Sequence, residues 1–478
     1  MNLYSPNIGT SRAPFWPHPG PLRATRALVS AMADATGLLA VSLGVLWHSI
    51  AQASNRIEIW VFLLLVVKPW IDLTWNLPAG EIFNQQLNVQ TFVALAALLM
   101  TAIILVRGRV NVTRSKLIVA FLAWALLAAV ITPSGWGINE LVRLYSGAAF
   151  FFTAGLVLNT HEKMAKFVRY FLLVLLVPVC LCFLQAMGIV PYFYWDWLEN
   201  QELGRASGMY NTPLDLIRFL IFAVPLALWL RMRSASGSIN WLVSTAFLVL
   251  AVPATALTYH RAGWVVLAFE VMLWLALTGR VRSVPIIAAV ILVAGLVFAD
   301  RLQVLFEPVM PMVRGEASID SGEFLRGRGA TWFVFMNSLF SSNPALWFIG
   351  KGGSVAEGAD AYGTEFVDFA PNEPHNDFLR ILHAYGFVGL GLYLAILHRF
   401  FRAARRLRQA AAKTFDHDVG TLLLVVTIAI VLMSITTEPM RYPACVWYFF
   451  ALASVAFCRL REAGCRTAER ARVCEARP

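Results

Sequence analysis

From about residue 35 to residue 459 the chain alternates long apolar stretches with short polar connections. The apolar runs fall at 35–52, 57–77, 88–106, 116–132, 140–158, 165–187, 213–231, 239–257, 262–279, 284–300, 378–399, 419–436 and 442–459. Most approach the roughly 20 helical residues needed to cross a bilayer's hydrocarbon core. A helix satisfies its own backbone in lipid, so the pattern predicts an all-α polytopic membrane protein with about twelve, or thirteen, transmembrane helices. No heptad, internal repeat or low-complexity segment interrupts it, so neither a solenoid nor an inverted-repeat transporter is signalled.

Composition agrees with the pattern. Hydrophobic residues fill 59% of the 478 positions and charged ones only 14%, well below the charge of an ordinary soluble domain. The net charge of +11 does not point to nucleic acid, because the basic residues sit in short connections between spans. "RGRVNVTRSK" at 107–116, "HEKMAK" at 161–166, "RMR" at 231–233, "GRVR" at 279–282 and "RFFRAARRLRQAAAK" at 399–413 all fall on one side if each run from 88–106 onward crosses once. By the positive-inside rule that side is cytoplasmic.

The chain then divides into a cytoplasmic amino-terminal segment (1–34), membrane helices with outward loops (35–299), a long periplasmic loop (300–377), the final helices (378–459) and a basic cytoplasmic tail (460–478). Thirteen crossings would put Arg12, Arg23 and Arg26 outside, against the rule, so one of the first two runs, with 35–52 the leading candidate, reads as partly interfacial and twelve as the better total. The six cysteines lie in apolar runs or the basic tail and read as small hydrophobes and reduced thiols, with no metal or disulfide framework.

Four ionisable residues stand on the outward face where an apolar fold has no need of them. Arg261, in "TYHRAGW", has only a few polar or small residues between two spans, so its guanidinium stays near the bilayer, where it either snorkels to headgroups or holds a partner. Arg205, in "GRASGMYNTP", and Arg328, in "RGRGATW", stand among glycines that let backbone approach a ligand. Such planar, forked donors suit a diphosphate.

His375, in "PHNDFL", can take up a proton near neutral pH and precedes a helix capped by Asn376 or Asp377. His260 is a further candidate for substrate contact, and His383 reads as a packing residue rather than a second base. No paired acidic metal cluster accompanies these groups, no cofactor is called for, and neither a G-x-S-x-G elbow nor an H-E-x-x-H pair occurs. Residues 330–341 read as a short amphipathic helix at the interface, followed by glycines at 350, 352, 353, 358 and 363 that predict a mobile lid.

Three stretches resemble the bacterial O-antigen ligase and O-antigen polymerase superfamily of membrane glycosyltransferases. They are "GRASGMYNTPLDLIRFL", "LTYHRAGWVVLAF", and the pair "RGRGATWFVFMNSLFSSNPALWFIGKGG" and "PHNDFLRILHAYGFVGLGLYL". The likeness spans roughly residues 140 to 440. His260 stands where that family's turn usually has serine, and Asn-Thr-Pro replaces Asn-Pro-Asn.

The resemblance implies a GT-C-like enzyme of the bacterial inner membrane. It would take a glycan from undecaprenyl diphosphate at the periplasmic face and pass it to a hydroxyl of an acceptor glycan or lipid A core, metal-independent and inverting. On this reading Arg205 and Arg261 hold the diphosphate, Arg328 assists, His375 is the base, and His260 and Asn376 support. A chain-length regulator and a flippase are the accompanying proteins it implies. The other reading is a transporter or flippase of lipid-linked sugars, for which Lys68 and Asp72, beside Pro69 in "VVKPWIDLTW", are the close opposed charges of an early span.

Overall fold

The computed structural model describes residues 57–74, 78–82, 85–106, 115–133, 135–191, 204–280, 328–352, 374–410, 412 and 414–475. Nearly all of them belong to one compact unit, residues 60–478. The runs expected at 35–52 and 284–300 lie outside the described residues, and each of the others is a helix.

In chain order these are α1 (Ile57–Ile71), α2 (Val89–Val106), α3 (Lys116–Ile131), α4 (Gly135–Val157), α5 (His161–Ala186), α6 (Pro213–Arg233), α7 (Ile239–Leu257) and α8 (Arg261–Leu277). Then follow α9 (Arg328–Phe340) and α10 (Pro344–Ile349), which are short, and the long helices α11 (Asp377–Arg408), α12 (Phe415–Thr436) and α13 (Pro443–Glu475). Seven of the described helices are long and apolar enough to cross a membrane, which makes the protein polytopic.

The helices start where side chains can absorb their first N–H groups. Thr160, Ser238 and Thr414 accept from Lys163, Trp241 and His417 in turn, and Thr212 forms a capping box with Asp215 ahead of Pro213. α4 and α13 approach most intimately. A Cβ on Gly155 would meet the Ser454 carbonyl at 2.8 Å, and Trp447 Nε1 donates to Ser146 Oγ at 2.8 Å. Small residues at such a crossing let backbones close up where lipid offers no hydrophobic drive between helices. Large apolar residues elsewhere, such as Leu99, Val130, Val249 and Val265, remain exposed, as a lipid-facing surface requires.

The all-α expectation needs two amendments. Pro78–Ile82 pairs antiparallel with Gln85–Asn88 between α1 and α2, a hairpin in a polar stretch too short for a helix. α11 also breaks at Gly386 (φ 66°), which strips the carbonyls of the preceding turn of their partners. Each is satisfied from elsewhere: His383 accepts from Lys351 N–H (2.8 Å), Ala384 from Gly352 N–H (2.9 Å), and Tyr385 from Trp124 Nε1 (2.9 Å).

That accounting corrects part of the lid expectation. Gly350 (φ 90°) and Gly352 (φ 65°) are packed left-handed positions that seal a helix break, not hinges. Gly353, Gly358 and Gly363 lie outside the described residues. α9 fulfils the amphipathic expectation for 330–341, with Phe335 and Leu339 buried and Phe333 and Met336 exposed.

Candidate functional site

Four helix starts meet at one end of the bundle. α6 and α8 are locked by Gly263, where an added Cβ would lie 2.7 Å from the Ile217 side chain. α6 and α13 are joined by Arg218, whose guanidinium lies 2.9 Å from the Tyr442 ring centroid. α11 is tied to the end of α12 and the following turn by Asp377, whose Oδ2 accepts from Ser434 Oγ (3.0 Å) and Met440 N–H (2.9 Å). Helix amino-termini carry partial positive charge, so this end favours an anion before any arginine is counted.

The segments that carry Arg205 and Arg261 are brought together here by backbone. Ala206 N–H donates to the Leu257 carbonyl (2.9 Å), which sets the Arg205 loop against the turn that opens α8. Gln185 holds the same loop through three bonds, donating to the Gly208 carbonyl (2.6 Å) and accepting from Ser207 N–H (3.1 Å) and Gly208 N–H (2.9 Å). Gly208 therefore serves a close approach to the Pro178 backbone rather than to a ligand, a correction to the sequence reading of that glycine. Burial, with the Asp72 and Asp215 carboxylates nearby, pushes the Tyr210 phenol of this loop well above its ordinary pKa.

His260 accounts for its own departure from the serine pattern. Its Nδ1 accepts from Gly263 N–H at 3.0 Å, so the ring caps α8 as a serine hydroxyl would. Tyr259, just before it, is left-handed at φ 51°.

His375 is the other non-glycine residue at positive φ (50°) among the described residues. Such positions carry roughly 1–3 kcal/mol of strain and persist where the surroundings over-determine them. On one side Trp332 Nε1 donates to the Pro374 carbonyl at 2.7 Å. On the other, Asn376 caps α11: its Oδ1 accepts from Leu379 N–H (3.0 Å) and its Nδ2 donates to the Ile435 carbonyl (3.1 Å). Asn376, rather than Asp377, is thus the cap. The Trp332 bond also draws the start of α9 toward His375, and Arg328 is the first residue of α9, one turn before Trp332. His383 packs as expected, buried, edge-on to Phe335 and 3.4 Å from Ser338 Oγ, which accepts from Lys351 Nζ at 2.9 Å.

Apart from the Lys68–Asp72 pair, sequence reasoning missed the buried ionic frame beneath these residues. Arg380 reaches both oxygens of Glu140 (3.0 and 2.9 Å) and also Asp377 (3.1 Å). Arg218 pairs with Asp215, Arg441 with Glu438 (3.2 Å), and Lys68 with Asp72, the lysine lying 4.6 Å from the Trp447 ring centroid. The available signal was an ionisable residue within one or two turns of a span's end, as in "GINELVRL", "LDLIRFL" and "NDFLRIL".

Residues 246–394 match a family model described as O-Antigen ligase. That match, over about a third of the chain, supports membership of the O-antigen ligase/polymerase family. No curated protein matches the chain. The match supports ligase- or polymerase-type glycan transfer, and the family implies a lipid-linked glycan and a lipid A core as substrates in a membrane. The matched region contains His260, Arg261, Arg328, His375 and Asn376. Arg205 and the carboxylates Glu140, Asp215 and Glu438 come from the rest of the chain.

Proposed function

We propose that this protein transfers a glycan from undecaprenyl diphosphate to a sugar hydroxyl at the periplasmic face of the bacterial inner membrane, as an O-antigen or exopolysaccharide polymerase or ligase. The observation that carries the reading is the convergence of capped helix starts with Arg205, Arg261 and His375 at one end of the bundle.

In the proposed reaction His375 takes the proton of the acceptor hydroxyl as that oxygen bonds to the anomeric carbon. The bond from this carbon to the diphosphate oxygen breaks on the opposite face, so configuration inverts. Arg205 and Arg261 neutralise the departing undecaprenyl diphosphate, and Arg328 assists from the start of α9. Because Arg261 and Arg328 open helices and the Arg205 loop is held by Gln185, little reorganisation accompanies charge development.

A GT-C-like architecture of about twelve spans, with chain-length regulator and flippase as neighbours, belongs to the same proposal. The transport reading receives less support, since Lys68 and Asp72 are bonded to each other and Asp72 lies within electrostatic range of Asp215 and Arg218, in the frame of the same end.

The decisive variant is His375→Asn, because asparagine tolerates left-handed backbone but cannot serve as a base. Transfer by purified protein supplied with an undecaprenyl diphosphate oligosaccharide should fall by about 10²–10⁴ while membrane levels hold. Near-normal transfer would reject the base. Product ladders without added core indicate a polymerase, and one shifted lipid A core band a ligase.

A further inference from the structure

The ionic frame leaves one cation over. Lys68, Arg218, Arg380 and Arg441 each have a carboxylate partner, as described above. Arg143, on α4 one turn beyond Glu140, lies among them, within electrostatic range of Glu140, Tyr442, Arg380, Arg441 and Lys68. Yet among the described residues its side chain makes no hydrogen bond and no ion pair within 4 Å. The nearby Glu140 carboxylate has both oxygens engaged by Arg380.

A partly buried guanidinium beside two others is an unfavourable arrangement. Evolving a bundle has a simpler solution available, an apolar residue at that position. Retaining the charge where like charges repel is what a site for an arriving anion requires, because the anion relieves the repulsion and fills the free donors. The location fits: Tyr442 lies within electrostatic range of Arg143 and also stacks on Arg218, the residue next to Ile217, whose side chain meets Gly263 in the first turn of α8 beside Arg261.

We infer that Arg143 is a further phosphate-binding residue of this end of the bundle, contacting the diphosphate of the lipid-linked donor from the α4 side. The inference rests on the proposed diphosphate donor but not on the role of His375. Two sources of phosphate oxygen are conceivable in a membrane, the substrate and a lipid headgroup, and the test separates them.

The test is phenylglyoxal labelling of the full chain in neutral phosphatidylcholine nanodiscs, resolved by mass spectrometry and repeated with inorganic diphosphate as the probe. Expected is at least about fivefold slower modification of Arg143 with diphosphate present. Arg143→Gln should weaken diphosphate binding about tenfold, as loss of a charge-assisted bond implies, and Arg143→Lys should recover part of it. Should Arg143→Gln fail to fold, the labelling of the unaltered protein decides.

Protection of Arg261 without Arg143 overturns the inference and leaves the proposed function standing. Protection of Arg143 without Arg205 or Arg261 upholds the inference and removes those two from the diphosphate role. Protection of none overturns both. Protection produced merely by exchanging phosphatidylcholine for phosphatidylglycerol, without diphosphate, assigns the site to a lipid headgroup and overturns the inference.

Discussion

The two ends of the bundle both hold arginine–carboxylate pairs, but they use them differently. At the His375 end Arg380 is buried and bridges Glu140 of α4 to Asp377 of α11, and the backbone beside the frame is left-handed at Tyr259 and His375. At the opposite end Asp418 of α12 accepts from Trp229 Nε1 (3.0 Å) and pairs with Arg233, both of α6, while Arg459 pairs with Asp416 (2.5 Å). Around those pairs Arg231, Arg402, Arg405 and Arg406 stand exposed. The exposed surplus gives that end its positive bias, the property that sets orientation. At the His375 end, where Lys68, Arg218, Arg380 and Arg441 each have a carboxylate partner, the frame instead fixes the position of strained backbone. An arginine count therefore speaks to topology, and an arginine's partners speak to the site.

The contrast can be broken by three substitutions of decreasing effect. Arg380→Ala strands two carboxylates in the interior and should cost about 3–5 kcal/mol, read as a lowered melting temperature of the protein in detergent. A shift no larger than that of exposed Arg405→Gln would mean that the frame is dispensable. Trp332→Phe keeps the aromatic bulk and removes the donor to the Pro374 carbonyl, so transfer should fall about tenfold with melting nearly unchanged. Equal transfer by the variant would show that His375 holds its backbone without the indole. Asp418→Ala at the far end should cost about 1–2 kcal/mol, because Arg233 is partly exposed and can rehydrate and only the Trp229 indole N–H is left without its acceptor. Lost transfer with intact melting in that variant would mean that the far end also shapes the site.

Hydropathy made the helices legible. α7 was placed at 239–257 residue for residue, and the other described runs were placed to within a few residues at most of their starts and ends. The exceptions are the longer reach of α11 and α13 and the earlier end of α1. His375 and Arg261 were visible because a charged or basic residue at a span boundary breaks a local pattern. Glu140 and Arg380 break it too, yet what they do depends on each other across 240 residues of chain. The glycines misled for a related reason: Gly208 and Gly350 look alike as flexible residues, while the backbone each one meets belongs to a distant helix.

The sequence by itself determined that the protein lies in a membrane, where its helices begin and which of its residues stand at their ends. These follow from local period and composition, since lipid accepts little but self-bonded apolar helix. Only the tertiary structure decided that Asn376 caps α11, that His260 caps α8, that Trp332 fixes the peptide before His375 and that, in the ionic frame of the described residues, Arg143 has no hydrogen-bonded or ion-paired partner. Each of these depends on hydrogen bonds or charges whose geometry is set when separate segments pack, and no periodicity along the chain encodes such distances.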